Sequence, residues 1–231
     1  PSFFVIPVSF TQGEFIEWPP RGFTFKWYVQ VFESPVWQGA MIRSVTVAFA
    51  TAVVSMAIGV PAAFVLVRQR LPGKTALLAL LLLPLIVPNI IIAVSLFYLY
   101  ARLGLVGTST GLVIGHTVLA VPFVVVTVMA VLKNYDERLD QAAGSLGANR
   151  LMTLRHITFP LIKAGMIASF LFAFVKSFDE LTVALFVTGG IRFRRSLPWG
   201  LAYILIWEGF VALAGETASK LAVRSYVRSI L

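Results

Sequence analysis

Lys176, Asp179 and Glu180 fall within five residues of one another in a run that is otherwise apolar, from about Ala164 to Val187. An ionised carboxylate is costly in hydrocarbon unless it is paired or wetted, so such groups face the inside of a helix bundle. Two chemistries suit the spacing. Lys176 stands i,i+3 from Asp179 and i,i+4 from Glu180 and can neutralise either along one helix face. Alternatively, at least one of the two carboxylates lines a path taken by a cation. Covalent chemistry has little to work with. The chain has no cysteine, which excludes disulfides, thiolate metal sites and a cysteine nucleophile, and two separated histidines, His116 and His156, do not make a zinc site. Ser44, Ser55 and Ser95 lie in apolar runs where their hydroxyls can bond back to the helix. His116, inside a span, suits a hydrogen bond between helices better than a proton relay. Gly73-Lys74-Thr75 ends like a phosphate-binding loop, but that motif needs glycine five residues before Gly73, where the chain has Arg68. No catalytic residue and no cofactor or metal site is expected.

The elements that carry these residues are membrane helices. Of 231 residues, 58% are hydrophobic and only 13% charged, with a mean hydropathy of +0.89. Three stretches have no Asp, Glu, Lys or Arg: Ser44 to Val67, Thr75 to Ala101 and Leu103 to Leu132. Each exceeds the roughly 20 helical residues that cross about 30 Å of hydrocarbon. Pro84 and Pro88 in the second run and Pro122 in the third predict kinked helices, which a bilayer tolerates only inside a bundle. A fourth span is expected over Ala164 to Val187, and Leu197 to Gly215 is marginally long enough to be another. Residues 11–38, with Trp18-Pro19-Pro20-Arg21-Gly22-Phe23 and Lys26-Trp27-Tyr28, read as an outer-surface loop. Pro1 to Phe10 reads as the stump of a helix, against an interfacial segment or signal-peptide remnant, and 215–231 is too polar to cross.

A formal charge of +9 on a soluble chain would suggest nucleic acid; here position explains it, and the lipid bilayer is the partner instead. Arg68, Arg70 and Lys74, then Lys133, Arg138, Arg150, Arg155 and Lys163, populate the loops after the first and third spans. That bias, together with Lys220, Arg224 and Arg228 in the tail, places both loops in the cytoplasm.

The loop over residues 133–163 has internal order. Asp136 can cap a helix with an acidic first turn. Gly147 suits a left-handed stop, and Asn149 can cap a second helix. Leu151, Leu154 and Ile157 recur every three residues and give that helix an apolar face, before Pro160 returns the chain to the membrane. With small residues at Ala142, Ala143 and Gly144, this helix-turn-helix can present a rigid knob to the groove of a partner. An amphipathic connector lying on the lipid surface is the alternative.

Gln141-Ala142-Ala143, then Gly147, Ile157 and Phe159-Pro160, resemble the signature loop of binding-protein-dependent ATP-binding-cassette importer permeases: Glu-Ala-Ala, three residues, Gly, nine residues, Ile, one residue, Leu-Pro. Gln replaces the acid and Phe the Leu. The stretches around Pro19 to Tyr28, Pro122 to Val128 and Ser177 to Val183 look most like permeases of the spermidine/putrescine group. The resemblance implies an all-α, polytopic transmembrane bundle of the type I importer permease fold, with a cytoplasmic coupling helix and with the family's first and last spans incomplete. It implies one permease domain over 1–231, set in a bacterial inner membrane. Gln141, Ala142, Ala143, Gly147, Ile157 and Pro160 would couple it to cytoplasmic ATPase subunits on separate chains. A second, different permease subunit and a periplasmic solute-binding protein would complete the assembly. Asp179 and Glu180 become candidates for the path of a polyamine, whose ammonium groups need acidic or aromatic partners. A secondary transporter or channel without an ATPase, or an inactive truncated fragment, are the competing readings.

Overall fold

The computed structural model describes residues 8–13 and 22–188. Expectations for most of the 1–10 strip, the proline pair at 19–20, the 197–215 run and the 215–231 tail lie outside the described residues. Those that are described fall into two compact units, one up to Ser44 and one over Val45–Gly189. Nine α-helices and one π turn account for nearly all of them, and the isolated bridge between Thr11 and Phe23 is the only β pairing among them.

In the first unit the Trp27 indole donates to the Thr11 carbonyl at 2.8 Å, and the Phe10 and Tyr28 rings stack at 5.2 Å. The outer-surface loop expected over 11–38 is thus partly helical: α1 covers Lys26–Glu33, and α2, Pro35–Arg68, already starts at Pro35. Ser34 between them is extended, at φ −78 and ψ 118, the conformation forced on a residue that precedes proline, while Pro35 opens the next helix without needing its missing N–H.

Among the described residues, three helices are long and apolar enough to cross a membrane: Pro35–Arg68, Ser109–Lys133 and Arg150–Phe178. The second apolar run behaves differently from the single kinked span expected. It forms α3 (Lys74–Ile86) and α4 (Asn89–Leu103), bent by 99°. Pro84 is absorbed inside α3, whereas Pro88 ends it, because Val87 before it is driven to φ −75 and ψ 130. Gly104, at φ +68, closes α4 in the left-handed region.

Helix α5 (Ser109–Lys133) starts at Thr108, whose hydroxyl accepts from the Gly111 N–H at 3.0 Å. Its most apolar window is 67% buried, against 39% and 22% for the other two spans, which makes α5 the centre of the bundle. One core cluster joins α2, α5 and α8 (Phe159–Phe178) around Ala63, Val124, Val128 and Ile162; a second joins α4, α5 and α9 (Leu181–Val187) around Tyr100, Leu119 and Val183. In lipid the drive for such packing is close contact more than water exclusion, so small residues decide it. A Cβ placed on Gly165 would meet Val131 Cγ2 at 2.3 Å, and one on Gly59 would meet Val124 Cγ1 at 2.7 Å.

Gly165→Ala should therefore overpack the α5/α8 contact and cost about 1–3 kcal/mol. Thermal unfolding of the purified protein in detergent should show a lowered midpoint, with most of the loss recovered when Val131→Ala is added.

Candidate functional site

Helix α6 (Arg138–Ser145) is the loop's projecting element. Asp136 acts near its start, accepting the Arg138 N–H at 3.0 Å, although the cap position itself is Glu137. The stop is as the sequence indicates. Gly147 has φ +87, Ala148 N–H reaches the Ala143 carbonyl at 3.0 Å and Gly147 N–H reaches that of Gly144 at 3.0 Å, a Schellman closure that only glycine enters without strain. Asn149 Oδ1 then accepts the Met152 N–H at 2.8 Å and caps α7, Arg150–Thr153.

The expectation that Pro160 separates this helix from the membrane span is corrected. From α7 the chain runs through a π turn, Leu154–Thr158, straight into α8, so Arg150–Phe178 is one rod. A proline ring collides with the carbonyl four residues back in a regular α-helix; the wider π turn, in which Phe159 N–H bonds the Leu154 carbonyl, leaves room for it.

Of the residues assigned to coupling, Gln141, Ala142 and Gly147 are exposed, as is Gly144 beside them. Ala143 is instead 6% exposed: it seats α6 on the chain, and its size matters for internal packing. Ile157 is half-buried and Pro160 exposed in the continuous rod. Leu151, on the apolar face expected of the second helix, is 73% exposed, and Leu146, which the sequence did not single out, is 90% exposed. An apolar side chain directly before a helix-stopping glycine in a polar loop was the available signal. Together with Met152 these make a bare apolar edge around the Gly turn.

Asp140 was also missed. Its Oδ2 pairs with Arg68 Nη1 at 2.7 Å, and its Oδ1 accepts from Tyr135 Oη at 2.5 Å and from Thr158 Oγ1 at 3.0 Å. The Arg68 guanidinium also lies 5.2 Å from the ring centres of Phe64 and Tyr135. Burial first, and then the bond to Asp140, push the Tyr135 phenol above its ordinary pKa.

The intramembrane charges resolve into two environments. Helix α8 ends at Phe178, and Glu180 caps α9, so the expected single span over Ala164 to Val187 is broken. Glu180 accepts from Lys176 Nζ at 2.7 Å, from Asn89 Nδ2 at 3.1 Å and from the Val183 N–H at 3.4 Å, and is 4% exposed. Lys176 thus takes the i,i+4 partner. Asn89 is the first residue of α4, beyond the Pro88 break, so one carboxylate joins two interrupted helices. Asp179 is exposed. His116 Nδ1 shares a 2.9 Å hydrogen bond with Ser177 Oγ, the contact between helices that its position suggested.

Because Glu180 holds several donors together, Glu180→Ala should cost about 3–5 kcal/mol, read as a fall in unfolding midpoint. Glu180→Gln, which keeps an acceptor for Asn89 and Val183, should lose less.

Residues 55–215 match the family described as "Binding-protein-dependent transport system inner membrane component". The chain is 32% identical over 190 residues to the "Spermidine/putrescine transport system permease protein PotC" of Haemophilus influenzae, covering 82% of this chain and 73% of the relative. It is 30% identical over 192 residues to the "Probable molybdenum ABC transporter permease protein" of Haloferax volcanii, covering 80% and 68%. In fold it is similar to a chain of a bacterial ABC transporter involved in the import of the acidic polysaccharide alginate, with a TM-score of 0.60 at 15% identity, covering 98% of this chain and 89% of that one.

Proposed function

Since the chain belongs to the binding-protein-dependent transport system inner membrane component family and is an ABC importer permease subunit, we propose that it admits a polyamine-like cation, driven by ATPase subunits that dock on the loop around α6. The observation that carries the docking is the apolar edge at the Gly turn. Leu146 is 90% exposed and Leu151 73% exposed, on backbone fixed by a Schellman stop and an Asn cap. An idle connector has no need of such rigidity, and a bare apolar rim on an ordered knob is the usual mark of a protein contact. In this reading Gln141, Ala142 and Gly147 face the ATPase, and Ala143 holds the helix that presents them. The loop then faces the cytoplasm of a bacterial cell, a binding protein loads the opposite side, and a second, different permease completes the path.

Substrate charge follows from the membrane acids. Glu180 is committed to Lys176, Asn89 and the α9 cap, which makes its role structural and neutralises Lys176. Asp179, exposed where α8 ends, is the carboxylate placed to meet a solute. An exposed acid at that point favours a cation and repels an oxyanion. The likeness to a spermidine/putrescine permease supports a polyamine over the oxyanion that the name of the molybdenum relative suggests.

Two measurements test this. A cassette ATPase should co-purify with the intact chain and be lost with Leu146→Asp or Gly147→Pro; retention in both variants overturns the docking. In vesicles containing the complete transporter, spermidine or putrescine uptake should fall with Asp179→Asn while the ATPase stays bound. Unchanged uptake, or wild-type preference for molybdate or sulfate, overturns the cation path.

A further inference from the structure

We propose that the Arg68–Asp140 pair is the joint through which movement of α6 reaches the membrane helices, an inference that rests on the docking of the ATPase at that loop. Asp140 uses both carboxylate oxygens. One binds Arg68, the last residue of α2, at 2.7 Å. The other binds Tyr135, two residues beyond α5, at 2.5 Å, and Thr158, in the π turn that leads into α8, at 3.0 Å. A single side chain on the docking helix thereby holds the loop-side ends of three spans.

The chemistry suits transmission. Apolar contacts slide with little resistance, whereas a charge-assisted bond fixes both distance and direction. Arg68 cannot readily swing away, since its guanidinium is flanked by the Phe64 and Tyr135 rings, each 5.2 Å from it. Thr158 is fully buried, so the third arm ends inside the bundle. The sequence pattern agrees: the signature's acid is replaced by Gln141, which is exposed, while an acid stands one residue earlier at Asp140, which is half-buried. A step of one residue turns a helix position by about 100°, and that step directs the carboxylate to Arg68 of its own chain. Arg68 and Asp140 are positioning residues and need not touch solute or ATPase.

The test uses the complete transporter in proteoliposomes, with three readouts: retention of the ATPase subunit, ATP hydrolysis, and solute taken up per ATP hydrolysed. Asp140→Asn and Arg68→Gln should both retain the ATPase and still hydrolyse ATP, while uptake per ATP falls by about tenfold. The exchange Arg68→Asp with Asp140→Arg should recover part of it. Tyr135→Phe and Thr158→Val, which each remove one arm and leave the ion pair, should give intermediate losses in complexes that assemble normally. Wild-type uptake per ATP in the single variants overturns the joint. So does loss of the ATPase subunit from them, because the pair would then only shape the docking surface, and so does an exchange that recovers nothing. A wild-type chain that fails to hold the ATPase sinks the docking reading and this inference together, whereas a wild-type complex that holds it beside unaffected variants sinks the joint alone.

Discussion

A helix interrupted inside hydrocarbon exposes amides and carbonyls that lipid cannot satisfy, and two are interrupted among the described residues. The breaks at Pro88 and at Asp179-Glu180 are brought together, and Glu180 serves both: it caps α9 through the Val183 N–H and accepts from Asn89 at the start of α4. Lys176, one turn earlier on α8, balances the charge at 2.7 Å. Removing the carboxylate would leave a half-buried ammonium, an amide and a helix start without their acceptor. The packing of α4 on α9 around Tyr100 and Val183 depends on that arrangement, as does the separation of Glu180 from its exposed neighbour Asp179.

The parts of this design that were legible in the sequence are those set by local rules. Lack of charge marked the first and third spans. Gly147 and Asn149 marked the loop's turn, because left-handed backbone and side-chain capping are properties of single residues. The parts that were hidden depend on partners distant in the chain. Nothing periodic links Arg68 to Asp140, or Asn89 to Glu180. The 99° bend of α3 and α4 was underestimated because Pro84 and Pro88 look alike in sequence; the first is tolerated within a helix, and the second meets an extended Val87. Pro160 misled in the opposite direction, since a π turn absorbs it. Ala143 looked like a docking residue because small side chains permit close approach to a partner as well as to the chain itself, and here it is the chain itself that approaches.

Two acids next to one another, Asp179 and Glu180, show how little residue type says without geometry. The same carboxylate is nearly enclosed and supplied with donors from two helices and a backbone N–H at Glu180, and exposed one residue earlier at Asp179. The loop shows the same division. Asp140 turns inward to bind the ends of α2, α5 and the π turn, while Gln141 beside it turns outward.

The uninterrupted run from Arg150 to Phe178 has a mechanical meaning of its own. Its 29 residues amount to a lever about 43 Å long at 1.5 Å per residue. The loop's capped turn lies at one end and Asp179 follows the other. If such an arm pivots at its loop end, a tilt of about 10° carries the far tip through about 7.5 Å, more than the spacing between neighbouring turns of a helix. Had Pro160 severed the arm as the sequence suggested, the same tilt would have been spent in a flexible elbow.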